Sequence, residues 1–217
     1  MKTIALIISF LSIGYLGFSQ NLNNITEENN NAFSLGIGYD YGLVTELDFY
    51  SKLNTEFTSW INLEVSTPSG DIAFDDFQTK FGICIEAFNK NNIQLYTSFK
   101  TGFIRYNSDK ASYNAIGSNL GITAGYYKSN WFFSGEFGYN NAATFHIKHS
   151  DEYREFYPDV KDGHYFLTSS HFHYGLSASY TFPKVVEVYA KAGMIAASGS
   201  DNAMLPYYAQ IGIAKAF

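Results

Sequence analysis

The sequence predicts an all-β chain closed into a membrane-spanning, antiparallel, up-and-down β-barrel. Three observations predict it. Apolar and polar residues alternate: Phe57, Ile61, Leu63 and Val65 share one parity while Thr58, Asn62, Glu64 and Ser66 hold the other. Ile93, Leu95, Phe99 and Phe103 alternate in the same way with Gln94, Ser98, Lys100 and Gly102. Successive strand side chains point to opposite faces, so each segment has one greasy and one wet face. Short and long connections between these segments alternate, as in barrels with tight turns at one rim and loops at the other. Aromatic residues (18%) outnumber charged ones (16%), a balance suited to a lipid-facing wall with interfacial aromatic belts.

The elements follow in order. Residues 1–20 form a signal peptide, with Lys2 as the positive start, an apolar run from Ile4 to Phe18, and Gly17-Phe18-Ser19-Gln20 near the cleavage point. The run is shorter than the roughly 20 apolar residues of a membrane-spanning helix. Residues 21–32 are polar and aperiodic and form a flexible leader. Residues 33–217 form one domain, the barrel. Nine strands read clearly, near 43–52, 55–66, 76–88, 93–106, 114–127, 131–149, 165–182, 185–198 and 207–217. Tight turns fall at Leu53-Asn54, Asn89 to Asn92, Lys128-Ser129-Asn130 and Pro183-Lys184. Longer connections fall at Thr67–Asp75, Asn107–Tyr113, Ser150–His164 and Gly199–Pro206. An odd number cannot start and finish on the tight-turn side, so Phe33 to Tyr39 supplies a tenth strand, turned back at Asp40-Tyr41-Gly42. The competitor is a single bent strand through Phe49, because no phase break separates Phe33 from Phe49. An eight-stranded barrel with an irregular first segment is the other alternative.

The outward parity carries Leu47, Phe49, Phe57, Ile61, Phe81, Ile83, Leu120, Ile122, Phe133, Phe137, Leu176, Val188, Ile211 and Ile213. Tyr126, Trp131 and Phe182 flank the tight turns as one belt, and Phe103, Tyr139 and Phe166 form the other. Among charged residues on this parity, Lys215 lies two residues from the end, where it reaches the interface. The inward parity carries Glu46, Asp48, Glu64, Glu86, Glu136 and Glu187 against Lys80, Lys100 and Lys191. Buried charges must pair. These nine residues therefore read as lumen ion pairs that stiffen the interior, or as a charged constriction passing small cations because acids outnumber lysines. Gly117, Gly121 and Gly125 on the inner face favour some free volume.

Cys84, the only cysteine, takes the inward parity and reads as a small filler. His146, His149, His164, His171 and His173 cluster in the last third with Ser169, Ser170 and Asp151. Hairpin pairing of 131–149 with 165–182 would bring His146 near His171 at the outer rim. A His–Ser–acid set there is the form an acyl-transfer site would take, and His171 with His173, two apart on a strand, the form of a metal pair. The plainer reading is a polar strand extension, with no catalytic residue, cofactor or metal assigned. The sequence contains no P-loop, GxSxG, HExxH or paired CxxC. The loop Asp151–Gly163 mixes acids with bulky residues and reads as a solvated cap or a recognition surface. A formal net charge of −6, with Lys2 among the few bases, argues against nucleic acid.

The chain ends on alternating Tyr207-Tyr208-Ala209-Gln210-Ile211-Gly212-Ile213-Ala214-Lys215-Ala216-Phe217. This stretch resembles the terminal signal that barrel-assembly machinery reads. Residues 33–217 as a whole resemble the small outer-membrane β-barrel proteins of Gram-negative bacteria, the OmpA-like and OmpW-like barrels. The resemblance implies export through the periplasm to the outer membrane, contact with its lipids, handling by the assembly machinery through Phe217, and a monomer. The expected role is structural or surface-interacting around a narrow, charge-lined lumen. The alternatives are a small, weakly cation-selective passive channel and a His-dependent lipid-modifying enzyme or protease at the outer rim.

Overall fold

A computed structural model of the chain describes residues 29–40, 42–69, 76–182, 186–197 and 206–217. The signal peptide, most of the leader and the turn at Pro183-Lys184 lie outside them. Ten strands form: β1 (Asn31–Tyr39), β2 (Leu43–Leu53), β3 (Ser59–Pro68), β4 (Phe77–Lys90), β5 (Ile93–Asn107), β6 (Ala111–Tyr127), β7 (Trp131–His149), β8 (Gly163–Thr181), β9 (Glu187–Ala197) and β10 (Tyr207–Ala216). Every strand pairs antiparallel with its chain neighbour, and β1 pairs with β10, so the sheet closes on itself. The ten-strand expectation therefore holds, and neither the bent single strand nor the eight-stranded barrel forms. Tyr39 faces Leu43 and Leu35 faces Leu47 across the first hairpin. Odd residues thus meet odd residues, which is why the sequence carries no phase break there.

The leader ends earlier than expected. Asn31 and Ala32 already belong to β1, because Asn31 and Phe217 exchange backbone hydrogen bonds at 3.1 and 2.8 Å and close the seam. Phe57, expected on a strand, sits in the turn before β3, where Thr55 donates to its carbonyl at 2.5 Å and pairs with the Ser59 hydroxyl at 2.8 Å. The β5–β6 connection, expected to be long, is only three residues, because both strands run further.

A row of register partners leaves β8 at Thr181 and runs through Glu187, Ala214, Ser34, Asp48, Glu64, Lys80, Gly102, Gly117 and Ala142. It returns to β8 at Ser169, a stagger of 12 residues. With strands about 4.8 Å apart and rising about 3.3 Å per residue, that stagger tilts them by about 40° and gives a backbone radius of about 10 Å. Inward side chains fill a cylinder of that size.

The wall is asymmetric. Strands β1, β2, β3, β9 and β10 have 9 to 11 residues, whereas β6, β7 and β8 have 17 to 19. The short strands match the roughly 9–11 residues that cross hydrocarbon at a tilt, so β5–β8 stand above the opposite rim. Opposite Ile116 and Gly117 of β6, β7 carries an extra residue between Ala142 and Thr144, and this bulge marks where the extension begins. A bulge inserts one extra residue and exchanges the faces beyond it. On β7, Phe132, Ser134, Glu136 and Asn140 point inward below the bulge, and Phe145, Ile147 and His149 point inward above it. Phe145 and Ile147 join Ile104, Ala111, Tyr113 and Ala115 in an apolar lining inside the extension.

The connection from β7 to β8 holds a short helix, α1 (Asp151–Phe156), capped by Ser150, whose Oγ accepts from the Tyr153 N–H at 3.2 Å. The ring of Tyr153 stacks on His149 at 5.3 Å. Asp162 accepts from the His149 backbone N–H at 2.9 Å, lies 2.8 Å from the His149 ring nitrogen Nδ1, and pairs with Arg154 at 3.4 Å. These bonds hold the Asp162 carboxyl below the usual range, His149 having the larger effect.

Candidate functional site

The outside of the barrel is apolar and its inside is polar, the reverse of a soluble protein. Phe33, Leu35, Leu47, Phe81, Leu120, Ile122, Phe133, Phe137, Leu176, Val188, Ile211 and Ile213 are all exposed. At the tight-turn rim Tyr126 and Trp131 pack at 5.6 Å with Lys128 over both rings, and Tyr180 meets Phe182 edge-on. At the other rim Phe77 meets Phe103, and Tyr139 meets Phe172.

Inside, three layers follow one another from the tight-turn end. The first is an aromatic floor: Trp60 (β3) meets Tyr96 (β5) at 5.8 Å, Tyr96 meets Tyr127 (β6) at 5.5 Å, and Tyr127 stacks on Phe132 (β7) at 5.1 Å. Ala32, Tyr50 and Cys84 complete it. Cys84 is fully buried, as its parity predicted. Alternation alone gives these rings no role, although Trp60 and Tyr96 share the parity of Glu64 and Lys100 and stand near tight turns.

The second layer is the charged belt. Glu64 is shared by two cations, Lys80 beside it on β4 and Lys100 on β5 at 3.0 Å. Lys191 on β9 reaches Glu46 on β2 at 3.0 Å. Tyr208 on β10 donates its hydroxyl to Glu136 on β7, and Ser34 donates to Asp48 at 2.8 Å. Seven of the nine predicted lumen residues thus gather at mid-height, each buried. The other two do not join them. Glu187 is buried at the tight-turn end of β9, and Glu86, half-buried, stands beside the bulge between Glu86 and Phe88, at the tight-turn end of β4.

The third layer is an amide–imidazole group. Asn119 donates to Asn140 Oδ1 at 2.7 Å. The Asn140 amide nitrogen lies 3.0 Å from His171 Nε2 and 2.9 Å from His173 Nδ1. An amide nitrogen only donates, so both ring nitrogens accept. His146 is not part of this group. The β7 bulge puts it on the outer wall opposite His164, which corrects the expected approach of His146 to His171.

Glycines let these groups fit. A methyl on Gly138 would overlap the His173 ring, and one on Gly175 or Gly193 would overlap Tyr208. Two of the three inner-face glycines expected to leave free volume face filled space: a Cβ on Gly121 would lie 2.6 Å from Ser98 Oγ, and one on Gly125 would lie 2.5 Å from Ser134 Cβ.

No protein-family model matches the chain, and no curated protein matches it. Among solved structures it is similar to the KdgM porin in complex with disordered oligogalacturonate, at 12% identity over 86% of this chain and 99% of that one, with a TM-score of 0.46. It is also similar to the outer-membrane protease OmpT from Escherichia coli, at 11% identity over 87% and 94% of the two chains and a TM-score of 0.48. The Pseudomonas putida toluene transporter TodX follows at 12% identity over 94% and 73%, with a TM-score of 0.37. None of them is near enough in sequence or in backbone to carry a substrate or a reaction across. The strand pairing itself defines this chain as a closed, ten-stranded antiparallel barrel with an apolar exterior and a charge-bearing interior.

Proposed function

We propose that the chain is an outer-membrane barrel with a sealed lumen, serving a structural or surface-interacting role at the cell envelope. The reading of a bilayer around it rests on the exposed apolar wall. Such a wall in water would be an aggregation site, whereas a closed barrel leaves no strand edge unpaired in lipid. The reading of a sealed lumen rests on one observation: Lys191–Glu46 and Tyr208–Glu136 each bridge strands three places apart around the ring, above an aromatic floor. Bonds of this kind must break before a solute passes. The surface role would fall to the β5–β8 extension and its α1 cap, the part of the wall that stands clear of the membrane.

A second reading, a small cation-selective channel, has its own support. Buried acids in the lumen outnumber the three lysines, and Asn62, Gln78 and Gln210 are buried with neither side-chain polar atom bonded to protein. Groups like these are served by water. Planar-bilayer recording separates the two. The sealed barrel gives no steady conductance, and a Trp60→Ala/Tyr96→Ala/Lys191→Ala/Tyr208→Phe variant, which removes two floor rings and both bridges, gives one. Steady conductance from the unmodified protein, with cation selectivity that falls in Glu64→Gln and Glu136→Gln, would replace the sealed reading with the channel.

A further inference from the structure

Of the five histidines, three are engaged. His149 is bonded to Asp162 and stacked on Tyr153, and His171 and His173 accept from Asn140 inside the barrel. The other two face each other on the outer wall of the extension. His146 on β7 and His164 on β8 are register partners just above the β7 bulge. His164 is exposed and His146 half-exposed, and neither ring has a hydrogen-bond partner among the described residues.

Their geometry points to a common ligand. The ring centres lie 4.5 Å apart, with planes inclined at 48°. An imidazole bound to a transition metal through a bond of about 2.1 Å has its ring centre about 3.2 Å from the ion. Two such rings at about 90° around one ion have centres about 4.5 Å apart, and at a tetrahedral angle about 5.2 Å. The observed separation matches the right-angled arrangement, which copper(II) and nickel(II) prefer with nitrogen and oxygen ligands. Strand pairing fixes both Cβ atoms, so binding has only the two rotatable bonds of each ring left to order. Asn114, the β6 partner of His146, continues the row with a polar side chain, and Lys148 follows two residues along β7. The Lys148 ammonium repels any divalent ion, so affinity at this place has to come from nitrogen coordination. Among the described residues no larger His, Cys, Asp or Glu group is placed to hold a metal.

We propose that His146 and His164 form a two-imidazole site for a tetragonal divalent ion, copper(II) first by the Irving–Williams order, with water in its open positions. This goes beyond the sealed-barrel reading and does not depend on it, since the site lies outside the lumen.

The test uses the folded, tag-free mature protein in detergent micelles, titrated with copper(II) chloride. Electron paramagnetic resonance should report one copper per barrel with two imidazole nitrogens. His146→Asn and His164→Asn, tested separately, should each reduce the signature to one nitrogen and weaken binding at least about tenfold, because a single imidazole loses the chelate. Both side chains are solvent-facing, and heat-modifiable mobility on gels verifies that the variants fold. Two results overturn the proposal: wild-type affinity retained by either variant, or a one-nitrogen spectrum from the unmodified protein.

Discussion

Lys191 on β9 and Glu46 on β2 meet at 3.0 Å inside the barrel, although β10 and β1 lie between their strands. Their side chains are only 1% and 3% exposed. Removing one member of a buried pair leaves the other charge without its partner, which costs about 3–5 kcal/mol. Lys191→Ala is therefore expected to lower the unfolding free energy in lipid vesicles by about that amount, read from urea titrations followed by tryptophan fluorescence. Lys191→Met combined with Glu46→Leu should recover most of the loss. Equal losses in the single and double variants would mean that packing, not the pair, is what the site supplies.

Gly138 faces His173 across β7 and β8, and the imidazole lies over the glycine where a side chain would otherwise stand. The ring cannot move aside freely, because its Nδ1 is held by Asn140 at 2.9 Å. Gly138→Ala should destabilise the barrel by about 1–3 kcal/mol, the range for overpacking. Adding His173→Ala should make the alanine at 138 nearly neutral. A double-mutant cycle measures this coupling directly, and additive effects would contradict the contact.

Asp162 fastens the β7–β8 loop to the strand below it. Its carboxyl is held below the ordinary range by hydrogen bonds from His149, with Arg154 adding to them. A depressed folded value means the contribution is complete above the unfolded carboxylate pKa, about 3.9, and is lost as pH falls through the folded value. Tryptic cleavage at Arg154 is awkward at low pH, so pepsin sensitivity or amide exchange at His149 is the better reading. Protection should fall below about pH 4 in the native chain. Asp162→Asn should be less protected than the native chain above about pH 4 and show no such transition.

The strands were legible because the alternation has period two and each hairpin keeps its phase, and the count followed because both chain ends had to lie at one rim. The charged belt was legible for the same reason: Glu46, Glu64, Lys80 and Lys191 keep inward parity along unbroken strands. His146 was not, because the extra residue between Ala142 and Thr144 moves it to the other face, and a bulge leaves the alternation intact on both sides of itself. The floor was visible in outline, since Trp60 and Tyr96 are bulky residues on a polar parity. What hid it was that an aromatic residue near a turn reads equally well as part of an interfacial belt. The α1 cap carried a readable signal in Ser150-Asp151-Glu152, a side-chain acceptor followed by first-turn acids, but six residues are too few to give helical periodicity.

Cys84 offers a test of the floor from within. It is fully buried beside Trp60, its β3 partner, and Tyr96, at the tight-turn end of the lumen. A thiol there meets a reagent only if the rings part or the barrel unfolds. A small maleimide should leave Cys84 unmodified in the folded protein, from either side of a lipid vesicle, over hours, and should react fully in urea. Tyr96→Ala removes the ring that joins Trp60 to Tyr127, so labelling should become measurable in the folded variant while β-sheet content stays unchanged. Phe99→Ala, on the same strand but facing outward, should leave Cys84 protected. Prompt labelling of the unmodified barrel would mean that water and small solutes already reach the floor, and the lumen would then have to be open at its tight-turn end.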